Sequence, residues 1–242
     1  MESVGSTQAM LVQQLINQID VQEHAVNRRM LEVAGLFVVA FCCCCLLLTD
    51  GVVSSQALLA SDWMIAMRPW FEPTTDVFLY VFYLLFLGLL ALGFVTQQAL
   101  LRDLAWRYLA AQLLGSVLVV RVLKMLLGRG RPDSDLPGQF TGEWGAWTLD
   151  SAFHAMPSGH SADVFTGAVL LALVLKSRKL RFLLLATALL AGFSRVAVAA
   201  HWPSDVLIGG LIGSCCAYVL VRFGWLYSST EALGCRTTTV KL

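Results

Sequence analysis

Six apolar runs divide the chain, at about residues 33–49, 77–96, 107–127, 157–175, 182–200 and 205–222. Each is near the roughly 20 residues a helix needs to cross about 30 Å of hydrocarbon. In lipid no water can satisfy a stray peptide group, so such runs must be helical. The expected fold class is therefore all-α, a six-transmembrane-helix bundle, with residues 30–227 as one membrane domain. Composition agrees: of 242 residues, 57% are hydrophobic and only 14% charged, against about 25% charged in a soluble domain. The net charge of +1 lacks the basic excess of a nucleic-acid binder. The expected surroundings are the lipid bilayer, with no nucleic acid as partner.

The chain ends differ from this core. Leu11, Leu15, Ile16 and Ile19 recur at helical spacing within residues 1–29. They predict an N-terminal amphipathic helix on the membrane surface or a cytoplasmic cap. No basic segment followed by an apolar core opens the sequence, so it does not read as a secretory signal. Residues 228–242 are polar and without periodicity, the pattern of a loose tail. Cys42 to Cys45, and the pair Cys215 and Cys216, lie inside apolar runs. Neighbours on one helix point apart and cannot readily close a disulfide. No ligand spacing for zinc appears, so the cysteines read as small apolar residues.

Basic residues set the orientation. An even number of spans puts both termini on one side. With the termini in the cytoplasm, eleven of the 17 Lys and Arg fall inside. The run Lys176-Ser-Arg178-Lys179-Leu-Arg181 is the strongest inside signal. The outer loops are then about 50–76, 128–156 and 201–204. Trp63, Trp70, Trp144, Trp147 and Trp202 are expected near the outer interface, where amphipathic rings prefer to sit.

Several charges remain at span ends, where they are expensive and need a reason. They fall into three blocks: Lys124-x6-Arg131-Pro132, Pro157-Ser158-Gly159-His160, and Ser194-Arg195-x5-His201-x3-Asp205. Under the topology above, all three meet at the outer face. Their chemistry suits a phosphate ester. Lys124, Arg131 and Arg195 supply positive charge, the arginines as planar forks that match two phosphate oxygens. Gly128 and Gly130 break the third helix and fold Arg131 back toward Lys124. Ser158 can cap the fourth helix, and Gly159 allows an anion close to its free amides. His201 and Asp205 are four apart, on one helix face, so the carboxylate can fix the imidazole tautomer. Pro203 fits the first turn of the sixth span.

These blocks resemble the signature of the type 2 phosphatidic acid phosphatase superfamily, in its integral membrane lipid phosphatase branch, over about residues 100–222. The resemblance implies His201 as the nucleophile that forms a phosphohistidine, Asp205 orienting it, and His160 as general acid. It implies phosphate binding by Lys124, Arg131, Arg195, Ser158 and Gly159, with no metal and no other cofactor. The implied partner is a phosphorylated membrane lipid at the extracytoplasmic face of a bacterial inner membrane. Phosphatidic acid, phosphatidylglycerol phosphate, undecaprenyl diphosphate and lipid A all fit, so monoester and diphosphate both stay open. So does transfer of the phosphoryl group to a second lipid instead of water. A transporter or flippase is the rival of another class, but would place ionisable groups near the midplane.

Residues outside the blocks have plainer readings. Arg121 reads as structural, and Arg129 as solvated or bound to headgroups. His154 reads as polar surface. Asp163 could tune His160 or pair with a neighbouring helix. Ser194 suits packing or hydrogen bonding beside Arg195. Trp144, Trp147 and Phe153 read as interface anchors, or as a grip on a lipid headgroup.

Overall fold

The computed structural model describes residues 2–47, 60–141 and 150–236. Its elements are helices: α1 (Glu2–Asn17), α2 (Glu23–Leu47), α3 (Asp62–Val95), α4 (Ala99–Leu127), α5 (Gly159–Val174), α6 (Arg178–Ala197) and α7 (Pro203–Arg236). Among the described residues, four stretches are long and apolar enough to cross a membrane: Asp62–Val95, Ala99–Leu127, Arg178–Ala197 and Pro203–Phe223. The chain is an integral membrane protein.

Helix α5 is shorter, at 16 residues, or about 24 Å. After its first two turns it is apolar around its whole circumference, the pattern of a helix enclosed by others. Thirteen of its residues are buried, and α2, α3, α4, α6 and α7 all touch it. Phe165 lies against Phe37 of α2, with ring centroids 5.4 Å apart. Beside α5, Phe86 of α3 stacks on Tyr108 of α4 at 3.9 Å, and Tyr83 meets the same ring edge-on.

Lipid is as apolar as leucine, so helices associate in membranes through close packing and small interfacial residues. The α5–α7 seam shows this. A Cβ on Gly209 would lie 2.2 Å from the Ser158 carbonyl oxygen, and one on Gly213 would lie 2.2 Å from that of Ala162. Both pairs are spaced four apart, so one turn of α7 rests directly on the α5 backbone. This contact ties the start of α7, with Asp205, to the start of α5, with Ser158 and His160.

The far end of α5 is held by charge. Buried Arg29 donates to the Leu173 carbonyl at 2.7 Å, to the Asp20 carbonyl at 2.8 Å and to the Asp20 carboxylate at 2.7 Å. The segment after α1 adds backbone bonds from Asp20 to Val174 and from Lys176 to Gln18. A guanidinium thus satisfies carbonyls that a helix C-terminus leaves open.

Several boundaries differ from expectation. α2 begins at Glu23, ahead of the expected start near residue 33. α3 starts at Asp62 rather than near residue 77, and runs through Pro69 and Pro73. Side-chain hydroxyls help helices in lipid tolerate proline, and Thr74 Oγ1 bonds back to the Trp70 carbonyl at 2.9 Å in that turn. Within α4, residues Leu113–Val120 form a π-helix, a rare widening often found at functional sites. α7 continues to Arg236, into the expected tail. The side chains of Cys42 to Cys45, with Trp144 and Trp147, lie outside the described residues. Cys215 and Cys216 are free thiols.

The Gly213 contact gives the first prediction. Gly213→Ala should destabilise the protein by about 1–3 kcal/mol through overpacking against backbone, measured by unfolding in detergent. Gly88→Ala, where a Cβ meets nothing within 4 Å, should leave stability unchanged. Equal stability of the two variants would contradict the packing.

Candidate active site

The three sequence blocks meet through backbone and side-chain hydrogen bonds at the Gly159 end of α5. The first block leaves α4 at Gly128, which takes a left-handed conformation (φ 54°) and bonds back to the Lys124 carbonyl at 3.1 Å. Glycine tolerates this cap without a Cβ penalty. Gly130 follows in a crowded turn, where a Cβ would lie 2.0 Å from the Leu136 carbonyl oxygen. The chain then runs beside the second block. Arg131 N–H donates to the Ala152 carbonyl at 2.9 Å, and Ala155 N–H donates to the Arg129 carbonyl at 3.0 Å. The third block closes the ring: Trp202 Nε1 donates to the Gly130 carbonyl at 2.9 Å, and Ser158 N–H donates to the Asp205 carbonyl at 2.9 Å.

His201 is almost wholly buried in the turn between α6 and α7. Its Nδ1 lies 2.7 Å from the Ala155 carbonyl oxygen. A carbonyl only accepts, so Nδ1 carries the hydrogen and neutral His201 presents a bare Nε2. Asp205 Oδ2 stands 3.7 Å from the same Nδ1, at ion-pair range. Sequence spacing points to the carboxylate as the orienting group, but the nearer partner is a carbonyl from the preceding loop. Burial lowers the His201 pKa, and Lys124 and Arg131 act in the same direction. Asp205 pulls the other way, and the net shift is downward.

Asp205 is fully buried and has three jobs. Its Oδ2 accepts from Trp202 N–H at 2.9 Å, its Oδ1 pairs with Arg129 at 2.5 Å, and its backbone carbonyl holds Ser158. The first is one half of a capping box, with a carboxylate at the third helical position reaching back to the cap. Pro203 opens α7 as expected.

Arg129 corrects the reading of a solvated or headgroup-bound side chain. It is buried, donates to Asp205 and to Ser204 Oγ at 2.7 Å, and lies over the Phe140 and Trp202 rings. A buried carboxylate needs a cation, and Arg129 is the one the glycine-bounded turn delivers. Trp202 is likewise buried rather than an interface anchor, because its indole N–H is spent on Gly130. Trp63 and Trp70 are exposed as anchors should be. His154 is buried, not surface. Asp163 is hydrogen-bonded to Ser116 of α4. Ser194 bonds to the Ala191 carbonyl at 2.7 Å and to the Thr75 hydroxyl.

Ser158 caps α5: its hydroxyl accepts from Ser161 N–H at 3.4 Å and from Ser161 Oγ at 2.9 Å. The side chain is fully buried, so its contribution to an anion site runs through the helix terminus it caps. Gly159 follows. A Cβ there would meet nothing closer than Val120 at 3.8 Å, so packing does not demand a glycine. His160 sits in the first turn with its Nε2 3.4 Å from Asp76 Oδ1, a partner that sequence analysis did not name.

Six of the cations divide into two groups. Arg29, Arg107 and Arg129 pair with Asp20, Asp103 and Asp205 at 2.5–2.7 Å. Lys124, Arg131 and Arg195 donate no side-chain hydrogen bond to any other described residue. Arg131 Nε and Arg195 Nε are buried without a partner, as are Arg29 Nε and Arg129 Nε, so the difference lies at the guanidinium ends, which find acceptors among the described residues only in the paired group. The three lie within electrostatic reach of one another, Lys124 also of both histidines, Arg131 of His201 and Arg195 of His160. Holding cations partly out of water costs several kcal/mol per ion unless an anion repays it. The arrangement concentrates positive charge in a cradle beside a bare imidazole nitrogen.

Arg129→Ala should therefore cost about 3–5 kcal/mol, because it strands a buried carboxylate. Arg121→Ala, at an exposed position, should change stability by less than about 0.5 kcal/mol. Unfolding in detergent checks both, and equal effects would contradict the assignment.

Residues 104–228, just over half of the chain, match the PAP2 superfamily. Over 135 residues the chain is 36% identical to a lipid A 1-phosphatase of Rhizobium johnstonii, covering 54% of each protein. Over 70 residues it is 43% identical to an undecaprenyl-diphosphatase of Sulfolobus acidocaldarius, covering 28% of this chain and 33% of that one. The chain spans about half the length of the first of these relatives, and less of the second. A crystal structure of Aquifex aeolicus LpxE is similar at a TM-score of 0.47 and 24% identity, over 65% of this chain and 86% of that one. With the matched region enclosing all three blocks, the chain belongs to the PAP2 superfamily.

Proposed function

We propose that this protein is a lipid phosphatase that works without a metal, through a phosphohistidine on His201. The observation that carries this is the cradle: Lys124, Arg131 and Arg195, without an acceptor among the described residues, gather beside His160 and beside His201, whose Nδ1 is tied to Ala155 and whose Nε2 is bare.

In the first step, His201 Nε2 attacks phosphorus as the ester P–O bond breaks. His160 gives its proton to the departing oxygen, so the lipid leaves as a neutral alcohol, or as a phosphate if the substrate is a diphosphate. Charge grows on the equatorial oxygens, where fixed cations and the α5 amide donors stabilise it. In the second step, water attacks phosphorus, His160 takes its proton, and the P–N bond breaks to return the electron pair to Nε2. Ala155 holds Nδ1 throughout. The positive charge on the phosphorylated ring is met by Asp205 at 3.7 Å.

The substrate is a phosphorylated envelope lipid whose chains stay in the bilayer while its phosphate enters the cradle. The named activities of the two relatives, on lipid A and on undecaprenyl diphosphate, support this class. We take α2 to α7 as six spans, the four membrane-length stretches with α2 and the shorter α5, with both termini in the cytoplasm and the cradle at the periplasmic face of the inner membrane. The charge asymmetry supports this orientation: Arg29, Lys176 and Arg181 knit the end of α5 opposite the cradle, as cytoplasmic basic residues do.

Purified protein should release phosphate from these lipids with a chelator present. His201→Ala and His160→Ala should each lower release by at least about a hundredfold while the protein still folds, and vanadate should inhibit. Full activity in both variants would remove the enzyme. Labelled phosphate appearing in a second lipid rather than in solution would make it a phosphotransferase.

The pH dependence follows from His201. Its neutral form attacks, and burial holds its pKa below the ordinary 6.5. Activity governed by this residue is therefore retained down through pH 6.5 and lost only in more acidic solution. The acid limb of kcat/KM should have its midpoint below pH 6.5; a midpoint above 7 would contradict the buried nucleophile.

A further inference from the structure

One group beside the cradle that the mechanism does not use is a carboxylate inside a membrane-length helix. Asp76 lies on α3 within the stretch Asp62–Val95. An ionisable residue there is costly and calls for a functional partner. Its Oδ1 stands 3.4 Å from Nε2 of His160, with the carboxylate 52% and the imidazole 39% exposed.

The position is fixed by the residue before it. Thr75 is fully buried, donates to the Ala191 carbonyl at 3.1 Å and shares a hydrogen bond with the Ser194 hydroxyl. This seam locks α3 to α6 one residue from Asp76 and one residue from Arg195. The charged groups bearing on His160 are Arg195, Asp76, His201 and Lys124. Asp76 is the only anion in that set, and the other three are cations or bases.

We infer that Asp76 is a positioning residue for the reaction: it holds Nε2–H of His160, so that the proton delivered to the leaving oxygen resides on Nδ1. The two histidines are then used in opposite senses, His201 tied at Nδ1 and working at Nε2, His160 tied at Nε2 and working at Nδ1. As the P–O bond breaks, the Nδ1 proton passes to the departing oxygen and the electron pair stays on nitrogen. Nε2–H remains on Asp76. In the hydrolytic step Nδ1 recovers a proton from the attacking water. This inference rests on the proposed role of His160 as general acid.

The test compares leaving groups. A lipid alkyl phosphate departs as a poor leaving group that needs protonation, whereas a nitrophenyl phosphate amphiphile departs without it. Asp76→Asn should lower kcat on the alkyl substrate by at least about tenfold, a part of the 10²–10⁴ that general acids supply. KM should not change, and the nitrophenyl substrate should lose less than about threefold. Asp76→Glu should restore most of the loss. Asp76→Ser reads the same pair of substrates should the Asn variant fail to fold. His160→Ala is the control and should show the same dependence more strongly. If His160→Ala discriminates between the substrates but Asp76→Asn matches wild type, or loses equally on both, the role of Asp76 is overturned alone. If His160→Ala itself loses equally on both, the general acid falls, and Asp76 with it.

Discussion

The buried carboxylate of Asp205 is the point on which the site depends. It caps α7 through Trp202, pairs with Arg129 in the loop after α4, and offers its main-chain carbonyl to Ser158 at the start of α5. One residue thereby joins three segments that are distant in sequence. A buried ion pair of this kind adds little net stability over an apolar substitute, but it is expensive to break. That asymmetry makes it a device for register: each segment has one low-energy place relative to the others. The histidine four residues before Asp205 inherits its position from this arrangement.

Two solutions to the problem of charge at the membrane stand side by side. Arg29, Arg107 and Arg129 are matched to carboxylates and backbone carbonyls and are structural. Lys124, Arg131 and Arg195 are left without acceptors among the described residues, and the rest of the fold supplies the free energy that holds them together. α5 makes this possible. It is enclosed by five other helices, packed against α7 through glycines, and pinned by Arg29 at its far end. Its near end can therefore present free amides beside concentrated positive charge without shifting. In the proposed reaction, preorganised charge of this sort would stabilise a five-coordinate phosphorus without reorganisation at the moment of reaction.

Much of this was legible in the residues. Apolar length gave the helical membrane class, and the glycines around Arg131 announced a tight turn. Ser158 as a cap and Pro203 as a first-turn residue follow from local rules. What escaped was set by tertiary contact. Arg129 differs from a headgroup-binding arginine only because a carboxylate 76 residues later is folded onto it. Trp202 looks like an interface anchor until Gly130 takes its N–H. The Ala155 carbonyl that fixes His201 carries no sequence signal, since every residue has one. Asp76 was hidden because α3 begins some fifteen residues before its apolar run, through two prolines that ordinarily end a helix. A carboxylate just ahead of an expected span was the signal available, and it lay in a presumed loop.

The stereochemical course at phosphorus tests the central claim most directly. A lipid substrate carrying a chiral thiophosphate would be turned over in isotopically labelled water and the product's configuration determined. Attack by His201 followed by attack of water is two in-line displacements, so the account predicts overall retention. Inversion would mean that water attacks the lipid phosphate in a single step, and would leave His201 without the role given to it.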